Sequence, residues 1–420
     1  MIGSAVTARL LAAGHEVTGI ARRVKEAARQ FPAADWRAAD IARMTDPGQW
    51  IPHLENVDAL VNCAGVLQDS PWDSTRGVHA EGARALFVAC EEMGVRRVVH
   101  FSAIGVDRET PSDFSRSKLD GDRALMARDL DCVILRPAVV AGRAAYGASA
   151  LFRGLAALPI LPLMPATGPL QIVQLDDVVD TVSFFLSPGA PSRLALDLAG
   201  PERLSVAEVV AVYRQWLGWS EPRAVQLPQF VAAALYRLGD LAGVLGWRPP
   251  LRSTARLELA RGAAGDPAKW QRVTGISPQS LKEALAAEPV SVQERWFAAL
   301  YFLKPVVFAI LAAFWLATGL LAIGPGYHIG AALLGEGGMG PASGPAVAAG
   351  ALADIAIGAG IAVRPAARAA LYCALALSLF YAVAGTLILP RLWIDPLGPM
   401  VKIWPVLVLN LAALAILRDR

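Results

Sequence analysis

Three groups of residues have types and spacings that carry chemistry: Gly3 near the start, the pair Arg22-Arg23, and Asp354 inside a long apolar run. Met1-Ile2-Gly3-Ser4-Ala5-Val6 leads into a helical stretch from Thr7 to Ala13, then Gly14, then the strand-like Glu16-Val17-Thr18-Gly19-Ile20. This is the end of a glycine turn and helix of the kind whose free N–H groups face a pyrophosphate, and Gly3 has the place of the last glycine, where helix and sheet pack closely. The preceding strand and two earlier glycines are missing, so the start reads as truncated. About 20 residues beyond that glycine, the second strand ends in the group that reads the adenosine ribose. Arg22 and Arg23 stand there in place of an acid, and guanidinium groups suit a 2′-phosphate. NADP(H) is therefore expected over NAD(H).

The elements that position these groups alternate. Trp36–Ile41 reads as a further strand, Val57–Gly65 as another ending in a small-residue turn, Val95–Ser102 as a third after a helix around Glu81 to Met93, and Cys132–Pro137 as a fourth. Parallel strands joined by helices bind ligands beyond their carboxyl ends. The expected architecture is α/β, a doubly wound parallel Rossmann sheet with its first strand missing, followed by a four-helix transmembrane bundle. The domains divide as 1–200 (cofactor-binding), 201–295 (a small lobe) and 296–420 (membrane).

Charge makes that division. The chain carries 39 basic and 36 acidic residues, a net +3, with no basic surface for nucleic acid. From Trp296 onward only seven Lys or Arg and four Asp or Glu occur in 125 residues. Four apolar runs, Pro305–Gly324, Pro345–Val363, Ala369–Leu389 and Met400–Leu417, each approach the roughly 20 residues that cross a bilayer. Arg295, Lys304, Arg364, Arg368, Arg418 and Arg420 fall on one side of these spans, and Arg391 and Lys402 on the other. Retention of positive charge predicts both termini and the first domain in the cytoplasm, at a bacterial-type inner membrane. Cys63, Cys90, Cys132 and Cys373 lack metal-ligand spacing and read as packing thiols.

Over roughly residues 1–200 the sequence resembles the short-chain dehydrogenase/reductase superfamily, in its extended or atypical branch related to NmrA-like and epimerase/dehydratase-like proteins. The residues that carry this are the IGSAV remnant, AADI at Asp40, NCAG at Asn62–Gly65, HFSAIGV around Ser102, FSRSK from Phe114 to Lys118, and LRPAVVAG from Leu135 to Gly142. Leu198-Ala199-Gly200-Pro201 and the segment after Leu204 resemble that branch's C-terminal lobe. The resemblance implies that Asp40 bonds the adenine amino group and that Ala64, Gly65 and Pro137 line the cofactor. It implies that Lys118 holds the nicotinamide ribose and that Ser102 donates to a substrate oxygen. The family's catalytic tyrosine falls four residues before that lysine, where this chain has Phe114, which neither donates nor accepts a proton. Tyr-Lys carbonyl reduction is in doubt on that ground. The four-span tail resembles the DoxX-like membrane domain.

Other residues have plainer readings. His79 stands where the family often has an asparagine that supports the site backbone, and reads as structural. Asp176 and Asp177 open a helix and complement its positive end. Phe230 to Leu245 has apolar residues at helical spacing that fit either a lipid surface or a core. Asp354 lies mid-span, either as a functional acid or as a packing acid hydrogen-bonded to Asn410 or Ser378. Two function classes follow: a membrane-tethered NADP(H)-dependent oxidoreductase for an apolar, lipid or quinone-like substrate, or a nucleotide-binding sensor or assembly factor docked on a membrane-protein partner.

Overall fold

The computed structural model describes residues 1–417, in two units: residues 1–240 with 249–299, and residues 241–248 with those from 300 onward. Ten strands form: β1 (Thr18–Ala21), β2 (Asp35–Ala38), β3 (Ala59–Asn62), β4 (Arg97–Phe101), β5 (Asp131–Pro137), β6 (Val139–Ala141), β7 (Ile160–Leu163), β8 (Ile172–Gln174), β9 (Leu194–Leu198) and β10 (Arg223–Gln226). The central sheet runs β3-β4-β5-β9, parallel throughout, with Asn62 opposite His100 and His100 opposite Ile134. Successive side chains of a strand face opposite ways. Val98, Cys132 and Ile134 accordingly share one core with Trp50, Phe87 and Leu125, while Val99, Val133 and Leu135 share another with Val6, Phe185 and Trp270. Helices Gly82–Met93 and Asp113–Met126 supply the first core, and Ile2–Ala12 and Leu175–Leu186 the second. This is the doubly wound arrangement expected, and each fully buried Phe contributes about 1.5–3 kcal/mol to it.

β1 pairs only with β2. Among the described residues no ladder joins β1 to β3, which is where the Rossmann order 3-2-1-4-5-6 seats its first strand. Burial follows that gap: Leu60 and Val61 of β3 are half-buried, while Val98 and Val99 beside them in β4 are sealed. A third core joins Phe152, Leu161, Leu170 and Ile172 to Val209, Tyr213, Leu217 and Leu281, so the small lobe draws on residues before 201 as well as after.

Among the described residues three helices of the second unit are long and apolar enough to cross a membrane: Leu303–Ile323, Ser343–Ala362 with its leading turn, and Ala367–Ile388. The fourth, Ile403–Leu417, has 15 residues and is about 22 Å long. That is shorter than a perpendicular span of the roughly 30 Å hydrocarbon core. A further helix, Tyr327–Glu336, lies in the chain between Leu303–Ile323 and Ser343–Ala362. Small residues let the first two long helices touch: a Cβ on Gly319 would lie 2.5 Å from the Ala351 carbonyl, and one on Gly358 2.6 Å from the Leu316 amide. Arg391 pairs with Glu336 at one end of the bundle, and Arg364 Nη2 donates to Leu417 O (2.8 Å) at the other. Arg418 and Arg420, invoked in the charge argument, lie outside the described residues.

Candidate functional site

The Asp113–Met126 helix presents Lys118 to the carboxyl end of the central sheet. It starts where a capping box fixes it: Ser112 accepts from the Ser115 amide and Ser115 bonds back to the Ser112 amide. Lys118 is buried, and its Nζ donates to Phe101 O (2.6 Å) at the end of β4 and to Ala64 O (3.4 Å) beyond β3. Burial lowers its pKa to about 8, against the pull of Asp122. A Cβ on Gly65 would sit 3.7 Å from that ammonium and 3.8 Å from His79 Nε2, so Ala64, Gly65, Lys118 and His79 are immediate neighbours.

His79 lies on a π-helical turn, Gly77–Glu81, a local geometry common at functional sites. Its Nε2 accepts from the Val66 amide (3.0 Å), so the ring proton is on Nδ1, facing Ser117 Oγ (2.9 Å), which in turn donates to Phe114 O (3.0 Å). Burial, reinforced by the Lys118 charge and by His100, pushes its pKa down to about 2. The imidazole is neutral and holds the loop after β3. Phe114 packs against it edge-on, with centroids 5.5 Å apart.

A buried polar chain runs beneath. Asn62 Oδ1 accepts from the Ala64 amide (3.1 Å) and its Nδ2 donates to His100 Nδ1 (3.2 Å), leaving His100 Nε2 3.8 Å from Asp122 Oδ1. Asp122 Oδ2 accepts from Arg136 Nε (3.1 Å) and Nη2 (3.0 Å), a forked pair whose Arg136 also reaches Asp107 (2.6 Å). Ser102, directly after β4, is buried near Asp122, and its hydroxyl makes no hydrogen bond among the described residues. Pro137 ends β5, where its carbonyl accepts from the Ile104 amide (3.2 Å).

Gly3 lies in the first turn of the Ile2–Ala12 helix, where a Cβ would come within 3.4 Å of Cys63 Cβ, next to Ala64 in the chain. Burial raises the Cys63 thiol to about 12, so it stays protonated. Asp40 follows β2 and its carboxylate accepts from the Ala42 amide (3.2 Å). Arg22 follows β1 but is engaged by Asp73 (2.8 Å), whereas Arg23 is exposed and leans on Glu26 (3.6 Å). The structure thus gathers Ala64, Gly65 and Lys118, with Phe114 packed on their neighbour His79 and Gly3 against Cys63, while Arg22, Arg23 and Asp40 follow the paired strands β1 and β2. Sequence reading missed Gly82 and Gly121. A Cβ on Gly121 would lie 2.2 Å from His79 O, and one on Gly82 1.9 Å from Ile41 O, so both are glycine for close approach. Their only signal was a glycine inside a helical pattern.

In the membrane unit, Asp354 is buried, and its partner is Tyr381, whose Oη donates at 3.0 Å. The expected partners are not used: Asn410 donates instead to Val406 O (2.8 Å) in its own helix, one turn away, and no Ser378 bond to Asp354 occurs among the described residues.

The chain matches two families: residues 1–154 the NAD(P)H-binding family, and residues 312–411 the DoxX-like family. A ceramide reductase of Caulobacter vibrioides is 22% identical over 174 residues, 41% of this chain and 54% of that protein, so the chain spans about half of that relative's length. A UDP-glucose 4-epimerase of Mycolicibacterium smegmatis is 28% identical over 310 residues, 63% of this chain and 93% of the relative. The solved structure of the Bordetella bronchiseptica enzyme WbmG in complex with NAD and UDP shares the fold, with a TM-score of 0.54 at 17% identity over 71% of this chain and 93% of that one. The first part of the molecule is an NAD(P)-binding, epimerase-like Rossmann domain. It is joined to a DoxX-like domain with three strongly apolar helices.

Proposed function

We propose that this chain is a membrane-tethered NADP(H)-dependent oxidoreductase for a small apolar substrate, a quinone or a lipid carbonyl, working from the cytoplasmic face of a bacterial-type inner membrane. The observation that carries the reading is the buried Lys118 ammonium at the carboxyl end of β4, beside Ala64 and Gly65 and one strand end from Ser102. Lys118 is suited to the ribose hydroxyls of a dinucleotide, Asp40 to its adenine, Arg22 and Arg23 to a 2′-phosphate, and Ser102 to a substrate oxygen. The cofactor would supply hydride. Phe114 gives no proton, which favours acceptors that take theirs from water, as a quinone ring does. The lipid named in the ceramide reductase relative supports an apolar substrate.

The full chain in lipid nanodiscs, given NADPH and either a long-chain quinone, a long-chain carbonyl or a short soluble carbonyl, tests this. Oxidation of NADPH by the long-chain acceptors alone is expected. Cofactor binding with no turnover on any of them would instead support a second reading, a nucleotide sensor or assembly factor for a membrane partner, which Phe114 favours.

A further inference from the structure

The Gln229–Val244 helix is amphipathic in reverse. Its buried positions are Ala232, Tyr236, Gly239 and Gly243, three of them small, and Gly239 is held so closely that a Cβ would lie 1.7 Å from the Leu251 carbonyl. Its large apolar residues point away: Phe230 is 75% exposed, Leu238 62%, Leu241 58% and Val244 64%. Leu238, Leu241 and Val244 follow one another at three residues and Phe230 stands eight residues, about two turns, before Leu238, so the four share one side of the helix. A core-packing role, which the sequence left open, does not fit these exposures.

We propose that this stripe rests in the interfacial layer of a lipid bilayer. Continuity of the chain identifies the occupant. Leu241 to Arg248 belong to the unit that holds the apolar spans. Just past the helix, Leu245 O accepts from the Arg364 amide (2.9 Å), Trp247 Nε1 donates to Ala362 O (2.8 Å), and the Trp247 ring meets Phe308 at 4.8 Å. Ala362 and Arg364 lie at the end of the Ser343–Ala362 helix and Phe308 in the second turn of Leu303–Ile323, near where a span meets the headgroups and where Trp and Arg concentrate. A helix whose end is fixed at that level, with its apolar side uncovered, meets the conditions for lying in the interface, and Arg237 can extend its charged head to water from there. The second passage between the units repeats the pattern: Val292, Trp296 and Leu300 are exposed at four-residue spacing on the Val292–Leu300 helix, and Trp296 is 67% exposed.

Spin labels report the surroundings directly. With Cys63 and Cys373 replaced by alanine, the full chain in phosphatidylcholine–phosphatidylglycerol liposomes would carry a label at Leu238→Cys or Leu241→Cys. Gln30→Cys serves as the aqueous reference and Leu387→Cys as the apolar-helix reference. The expected result is a ratio of oxygen to water-soluble nickel-chelate accessibility severalfold above that of Gln30→Cys and approaching that of Leu387→Cys. A ratio equal to the aqueous reference overturns the proposal, as does a label closed to both reagents, which would mean that a second copy or another protein covers the stripe. Unmodified protein gives a second reading: phosphatidylcholine with a photoreactive acyl chain should label peptides from residues 229–244, and no adduct there counts against the proposal. Neither result depends on cofactor binding or turnover.

Discussion

Phe114 and His79 meet nearly at right angles, their planes 81° apart, and His79 is fixed in place by the Val66 amide and Ser117. The ring at position 114 therefore has a rigid wall behind it, and a phenol there would stand in the same slot, four residues before Lys118. Phe114→Tyr is expected to create or raise NADPH-dependent reduction of simple carbonyls by about 10²–10⁴-fold, the usual worth of a positioned acid. Wild type should show little such turnover. Good wild-type reduction with no change in the variant would mean that another group supplies the proton.

Arg22 is tied to Asp73, so its guanidinium is already oriented beside the end of β1. Replacing Arg22 and Arg23 with alanine should weaken NADP(H) binding about tenfold or more, with NAD(H) affinity nearly unchanged, since a charge-assisted hydrogen bond is worth about 1.5–3 kcal/mol. Calorimetric titration of both cofactors decides this. Equal losses for the two would reject the phosphate assignment.

Lys118 is held in the native protein at a pKa of about 8, below its ordinary 10.5. Between those values the unfolded chain binds a proton that the native chain lacks, so wild-type stability rises with pH across that window; below pH 8 the full burial penalty applies. Lys118→Met should therefore gain stability at pH 7, with an upper bound of about 3 kcal/mol reduced by the two lost hydrogen bonds, and the advantage should fade by pH 10.5. Thermal unfolding of both proteins at the two pH values measures it. A difference that does not vary with pH would show that the lysine does not titrate in this range.

Among the described residues no ladder joins β1 to β3. An extended variant that supplies a parallel strand and two more glycines ahead of Gly3 should bind NADPH more tightly, because that turn brings backbone N–H groups to the pyrophosphate. Equal affinity of the two forms would defeat the idea.

Reporter fusions after Leu334 and after Arg420 address orientation. Charge retention places the first outside the cytoplasm and the second inside. A cytoplasmic signal from the Leu334 fusion contradicts it.

The strands that could be read in the sequence were β3 and β4, inside the stretches read as Val57–Gly65 and Val95–Ser102, β5, which begins one residue ahead of Cys132–Pro137, and β1 and β2, which overlap Glu16–Ile20 and Trp36–Ile41. β6, β7, β8 and β10 are only three or four residues long, too short to show a period, and β9 alternates Leu with Ala and Asp. Lys118 and Ser102 were singled out because the short segments that carry the resemblance, FSRSK and HFSAIGV, contain them. The Asn62–His100–Asp122–Arg136 chain was not, since its members come from four elements and meet only when the parallel register is set. The partner of Asp354 was missed for a related reason: which residue faces a mid-span acid depends on the rotation of a neighbouring helix, which hydropathy does not encode.

Gly319 and Gly358 bring two long apolar helices into backbone contact at two separate heights. A joint pinned at two points can neither pivot nor slide without a backbone clash, so the Leu303–Ile323 and Ser343–Ala362 helices act mechanically as one beam. Relative movement within the bundle then falls more easily to the helices packed around that beam, of which Ala367–Ile388 is tied to it by the Tyr381–Asp354 hydrogen bond.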